Sequence, residues 1–146
     1  MLVRIGTALA PLAAICTLAG AIGCDQDLVG RRCFIGTDAG SDFETVVASP
    51  SLDCSSRTCL HVPADEGAAA PAGARPADMC TAECSSDDDC HRIAGSPCLG
   101  GFTCTVPVVV GPFCCRHLCV CRDFLVIPDG GIPEPEACQV DRPDCL

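Results

Sequence analysis

Apolar and polar positions fall along this chain in short, differently patterned runs. Residues 5–22 carry no charge and are rich in Ala, Leu and Ile, with Pro11 and several small residues loosening any regular helix. The pattern then turns polar, and within 33–59 only Thr45-Val46-Val47-Ala48 has the β-branched character of a strand. Residues 60–79 are Ala/Pro/Gly-rich without apolar periodicity, the composition of a linker. The strongest β signal is 103–110 (TCTVPVVV), where Pro107 cannot donate to a ladder and so assigns the run to a sheet edge or bulge. Gly111-Pro112 turns the chain, and residues 113–123 are expected to return as a second arm. The period of two then puts Leu118, Val120 and Phe124 on one face. Helix is scarce, with a single turn expected after Ser85-Ser86.

The cysteines change this picture most. Of 16, Cys16 lies inside the first apolar run and Cys24 closes it, while the other fourteen are Cys33, Cys54, Cys59, Cys80, Cys84, Cys90, Cys98, Cys104, Cys114, Cys115, Cys119, Cys121, Cys138 and Cys145. An even set in a chain with five Phe and no Trp or Tyr reads as a disulfide framework standing in for a core. The expected fold class is therefore small and disulfide-rich, with short β-strands and loops, little helix and a minimal hydrophobic core. Along the chain this gives a signal segment 1–23, a tether 24–32, a cysteine-poor segment 33–59, the linker 60–79, a dense module 80–121 and a C-terminal segment 122–146. The segments 33–59, 80–121 and 122–146 hold three, nine and two cysteines, so at least one bridge must leave the first group. The linker is then expected to loop back over a single disulfide-tied unit. Neighbouring Cys114 and Cys115 are expected to take different partners, because bridging adjacent residues strains the peptide.

Charge excludes one class of partner. Without Arg4, eight basic residues face nineteen acidic ones, a formal charge of −11. No basic patch of the kind that binds nucleic acid is expected, whereas solubility, cations and basic partners are favoured.

Ala21-Ile22-Gly23-Cys24 resembles the lipobox of bacterial lipoproteins. The resemblance implies that Cys24 carries a diacylglyceryl group, that the chain is cut before it, and that the protein is anchored by lipid in the cell envelope. Asp25 resembles an inner-membrane retention signal of enteric-type sorting, and the inner and outer membranes both stay open. Two other readings of the same segment are an ordinary signal-peptidase site at Ala19-Gly20-Ala21 and an uncleaved anchor helix of 18 uncharged residues. Parity favours the lipoprotein: a cut after Ala21 would leave fifteen cysteines and one odd thiol, and lipidation of Cys24 removes the odd one.

Two local motifs resemble known modules. Cys84-Ser85-Ser86-Asp87-Asp88-Asp89-Cys90 and Cys114-Cys115-x-x-x-Cys119 are similar to segments of the whey-acidic-protein, or four-disulfide-core, family, some members of which inhibit serine proteases. The 23 residues between Cys90 and Cys114 exceed that family's spacing. Gly101-Phe102-Thr103-Cys104 and Gly111-Pro112-Phe113-Cys114-Cys115 are similar to stretches in cysteine-rich lipoproteins of high-GC Gram-negative bacteria, a resemblance that implies a compartment and no activity.

Candidate chemistry is thin. The aspartate triplet offers oxygen ligands for Ca²⁺, but serves equally to satisfy backbone N–H groups at a turn. Residues 114–121 (CCRHLCVC) would hold Zn²⁺ or Cu⁺ through thiolates and His117, a reading opposed by the export signal and the even cysteine count. The chain lacks C-x-x-C and G-x-S-x-G, and its histidines, His61, His91 and His117, have no nucleophile context. No catalytic residue, metal or cofactor is expected. The expected partners are the membrane, through the lipid, and an unidentified protein or surface ligand. Residues 106–113 are the apolar surface that would meet a partner or be buried beneath the linker.

Overall fold

Proline, glycine and closely spaced cysteines interrupt this backbone every few residues, and the strands between them are correspondingly short. The computed structural model of the chain describes residues 28–36, 44–68, 70–71, 76–139 and 145. The signal segment, Cys16, Cys24 and the tether as far as Asp27 lie outside the described residues. Among the described residues, helix is limited to four single 3-10 turns, and no helix is long and apolar enough to cross a membrane.

Five strands form two antiparallel sheets. In the first, β1 (Val46–Ala48) pairs with β2 (Thr58–His61), which pairs with β3 (Met79–Thr81), setting Ala48 against Cys59 and Cys59 against Cys80. The sequence signal at 45–48 thus marks β1, whereas β2 has no β-branched run to announce it. Residues 29–33 run beside β3, with Gly30 N–H donating to Cys80 C=O at 2.9 Å and Cys80 N–H to Arg31 C=O at 2.7 Å. From Val29 onward the chain is therefore part of the fold and not tether. The Ala/Pro/Gly segment connects β2 to β3, whose ends at His61 and Met79 are taken from its two margins.

The second sheet is the hairpin of β4 (Phe102–Thr105) and β5 (Leu118–Cys121), with Cys104 opposite Cys119. The expected run to Val110 stops at Thr105, because Val106-Pro107 leaves the ladder where proline removes a donor. β5 also departs from simple alternation. All four of its residues are buried, since Cys119 and Cys121 on the second face are covered through their own partners, Cys90 and Cys98. Phe124 does not join Leu118 and Val120. The 3-10 turn Arg122–Phe124 breaks the period of two and swings the ring into the cluster of Cys98, Phe102, Cys119 and Cys121. An isolated bridge between Glu83 and Leu118 ties the sheets. It is reinforced by Cys119 N–H donating to Ala82 C=O at 3.0 Å and by the buried Thr81 hydroxyl donating to Cys119 C=O at 2.8 Å.

All fourteen cysteines from Cys33 to Cys145 are paired: Cys33–Cys59, Cys54–Cys80, Cys84–Cys104, Cys90–Cys119, Cys98–Cys121, Cys114–Cys145 and Cys115–Cys138. This is a small disulfide-rich fold of short strands and loops. Cys54–Cys80 is the bridge that leaves the first group, and Cys114 and Cys115 take different partners.

The two sheets follow one plan. In each, four cysteines close in alternating order, the first with the third and the second with the fourth: 33–59 with 54–80, then 84–104 with 98–121. In each, a left-handed residue (Arg57 at φ 62°, Gly101 at φ 84°) leads into a strand containing Thr-Cys that ends at Val-Pro. That likeness sits in Cys54-Ser-Ser-Arg-Thr-Cys59 and Cys98-Leu-Gly-Gly-Phe-Thr-Cys104, a repeat obscured in the sequence by one inserted residue.

Each bridge closes a loop of 20 to 31 residues, worth roughly 3–4 kcal/mol in the chain-entropy treatment. Reduction with dithiothreitol is therefore expected to abolish protease resistance and the circular dichroism of the native chain; survival of both would mean that apolar packing suffices. Cleavage within residues 64–76 should leave the two pieces joined without reductant, and the Cys54→Ser, Cys80→Ser double variant should let them part.

Candidate functional site

A proline just past a strand removes the donor that would continue the ladder, and this chain uses that effect twice on one face. β2 ends at His61 and β4 at Thr105, and Val62-Pro63 and Val106-Pro107 then carry both chains out of their ladders. Between these two Val-Pro steps lies an open groove of about 180 Å³, completed by Val120, Leu125 and Ile132 and by Thr45 and Thr105. One charged side chain, Asp65, lines it. Its backbone N–H donates to Phe124 C=O at 2.9 Å, and its carboxylate accepts the Val126 N–H at 3.2 Å, so the charge is held in place. The apolar segment 106–113 divides here: Val106 is buried in the groove wall, while Val109 and Val110 are exposed beyond it.

Two of the three aspartates, Asp87 and Asp89, accept backbone N–H groups. Ser86 stands at the N-cap of the 3-10 turn Asp87–Asp89, and Asp89 accepts the N–H groups of Ser85 and Ser86 at 2.7 and 3.0 Å. Asp87 reaches the hairpin instead, accepting Cys104 N–H at 2.7 Å and the Thr103 hydroxyl at 2.9 Å, and pairing with the Arg122 guanidinium. The Cys104 N–H first, then the Thr103 and Arg122 contacts, hold the Asp87 carboxyl below its ordinary range; the Ser85 and Ser86 N–H groups do the same for Asp89.

A third carboxylate has no motif to mark it. Asp123 is only 5% exposed and accepts the N–H groups of Leu99 and Gly100 at 2.6 and 2.7 Å. Gly100 permits this approach, since a Cβ there would collide with Asp123 Oδ1. Arg92 completes the loop by donating to the carbonyls of Cys98 and Leu99. The one signal in the sequence is a Gly-Gly pair beside a cysteine, with a carboxylate two residues after that cysteine's partner.

His61 lies in β2 and not in a linker, with Nδ1 2.8 Å from Asp78 Oδ1. Its Nε2 is buried and meets no hydroxyl or thiol among the described residues, so the pair has no nucleophile to activate. His91 and His117 are exposed. Four groups of side chains have metal-ligand proximity, among them Cys114, Cys115 and Cys145, and Cys98, Cys121 and Asp123. Every sulfur in them is in a disulfide and offers no thiolate.

No protein-family model, curated protein or solved structure matches this chain. The seven disulfides themselves indicate an oxidising, extracytoplasmic environment.

Two outcomes test these carboxylates. Asp123→Ala removes two hydrogen bonds to a buried carboxylate and should cost about 1–3 kcal/mol in urea unfolding, with Gly100→Ala destabilising through the same contact. Asp87 and Asp89 have depressed folded-state values, so their contribution is present above about pH 4 and is lost as pH falls through those lowered values. Asp87→Asn should flatten that acid limb without altering the response between about pH 6 and 8, as read from urea midpoints across the series.

Proposed function

We propose that this chain is a lipid-anchored extracytoplasmic protein with a binding or structural role and no catalytic one. The observation that carries the reading is the closure of all fourteen later cysteines on one another. That closure leaves Cys24 no intramolecular partner in the mature chain, and its sulfur is then the one that would carry the diacylglyceryl group implied by the lipobox resemblance. A thiolate metal carrier is disfavoured by the same closure. Two or more acyl chains would hold the molecule on its membrane almost permanently, since each buried CH₂ contributes about 0.8 kcal/mol.

The groove between the two Val-Pro steps is the receiving surface under this reading. It is mostly apolar with one oriented carboxylate, the composition of a site that takes an apolar group and fixes it by a single polar contact. Its walls belong to both sheets, and the contacts of Glu83 with Leu118 and of Thr81 and Ala82 with Cys119 set the distance between them.

Intact mass of the protein extracted from its native membrane, with iodoacetamide and without reduction, tests the anchor and the bridges together. The expected species starts at Cys24, carries acyl mass and takes up no alkyl group. A species starting at Ile22 would remove the anchor. One that takes up several alkyl groups would return the thiolate reading to first place.

A further inference from the structure

We infer that the end of the molecule built from residues 31–34 and the turn 51–57 is a face that rests on an anionic lipid surface. Leu52 and Phe34 are the most exposed large apolar side chains among the described residues, at 85% and 66%. Backbone chemistry holds their two segments together. Phe34 N–H donates to the Asp53 carboxylate at 3.2 Å, Arg31 Nη1 donates to Asp53 C=O at 3.2 Å, and Cys33–Cys59 pins the first segment to β2. The turn is closed in its own right, with Ser51 N–H donating to Arg57 C=O at 2.7 Å and Cys54–Cys80 fixing its far side.

Charge argues for lipid over another protein. The mature chain has eight arginines against nineteen acids, and three of the eight, Arg31, Arg32 and Arg57, lie exposed on these two segments. Among the described residues, the acids in contact with these segments are Asp53, which accepts from Phe34 N–H and Arg31 Nη1, and Asp78, which accepts Ile35 N–H and is paired with His61. Among the described residues, three guanidiniums thus stand against two carboxylates where the most exposed apolar side chains protrude. An apolar tip that enters the acyl boundary, ringed by guanidiniums at phosphate level, is the chemistry of interfacial binding. Leu28 is also only four residues from Cys24, a span of at most ~14 Å. This last argument rests on the lipid-anchor reading; the exposure and the charge do not.

The chain has no Trp or Tyr, so Phe34→Trp supplies a single fluorescent reporter. The test uses the oxidised mature chain carrying Cys24→Ser, which removes the acyl group, with phosphatidylcholine vesicles containing or lacking phosphatidylglycerol. The expected result is a blue shift of the Phe34→Trp emission on phosphatidylglycerol vesicles alone, reversed by salt. Vesicle affinity should fall about tenfold or more when Arg31→Ala and Arg57→Ala are combined, and likewise in Leu52→Ser. A Val110→Trp reporter, on another exposed apolar segment, should not respond. The absence of a shift from the Phe34→Trp chain on either vesicle overturns the proposal, as does an equal, salt-insensitive shift on both. A response from the Val110→Trp chain in its place also overturns it. So does a shift of the Phe34→Trp emission that grows with protein concentration without lipid, which would make this face a contact between copies. The anchor reading fails separately, by absence of acyl mass on the native chain, and that result leaves the vesicle outcome standing.

Discussion

Cystine here does two jobs that larger proteins divide between aliphatic packing and topology. With five phenylalanines and no tryptophan or tyrosine, the chain has little to bury, and its buried clusters are largely half-cystines: Cys98, Cys119 and Cys121 around Phe102 and Phe124, and Cys54, Cys59 and Cys80 at β2 and β3. A half-cystine fills about the space of a small apolar side chain and at the same time fixes the strand beside it. Its removal therefore costs packing and chain entropy together. The short strands follow from this. A three-residue strand such as β3 could not hold its register by ladder bonds alone, but Cys80 is tied to Cys54 and sits opposite Cys59 in the ladder.

The shared plan of the two sheets gives that constraint a simple origin in local sequence. A turn residue in the left-handed region, a strand with Thr-Cys, and a Val-Pro exit occur twice, each time with the same alternating pair of bridges. The second copy adds Cys90–Cys119, and the tail adds two more bridges through Cys114 and Cys115. Because both copies end in proline, both ladders stop, and the groove lies between the two exits. Its place is a consequence of the repeat and needs no separate design.

Much of this is legible in the residues. Cysteine parity requires a bridge across the Ala/Pro/Gly segment, and β-branching marks β1 and the last three residues of β4. Ser85-Ser86 announces the turn that Asp87–Asp89 makes. The misses have a common cause. β2, with Thr58-Cys59-Leu60-His61, has no alternating pattern because cystine covers one face and the second sheet the other, so neither face is polar. The period of two misplaces Phe124 because it ends where the chain leaves the strand. Asp123 and the His61–Asp78 pair depend on contacts 17 to 24 residues apart, which spacing alone does not encode. The groove is hidden for the same reason, since it is made by two Val-Pro steps that only the packing of the sheets brings together.

Rigidity also decides what kind of binding such a molecule can do. A groove whose walls are stiffened by prolines and by bridges within each sheet loses little conformational entropy when it is filled, so a modest contact area can suffice. The same rigidity makes it a poor induced-fit site. Closing the walls would require the two sheets to slide across the buried Thr81–Cys119 contact and the Glu83–Leu118 bridge that join β3 to β5. Under the proposed binding role, recognition would come from shape and from Asp65, which Val126 N–H orients. A carboxylate so placed favours a partner that brings a cation beside an apolar group. This agrees with the net acidic charge of the chain.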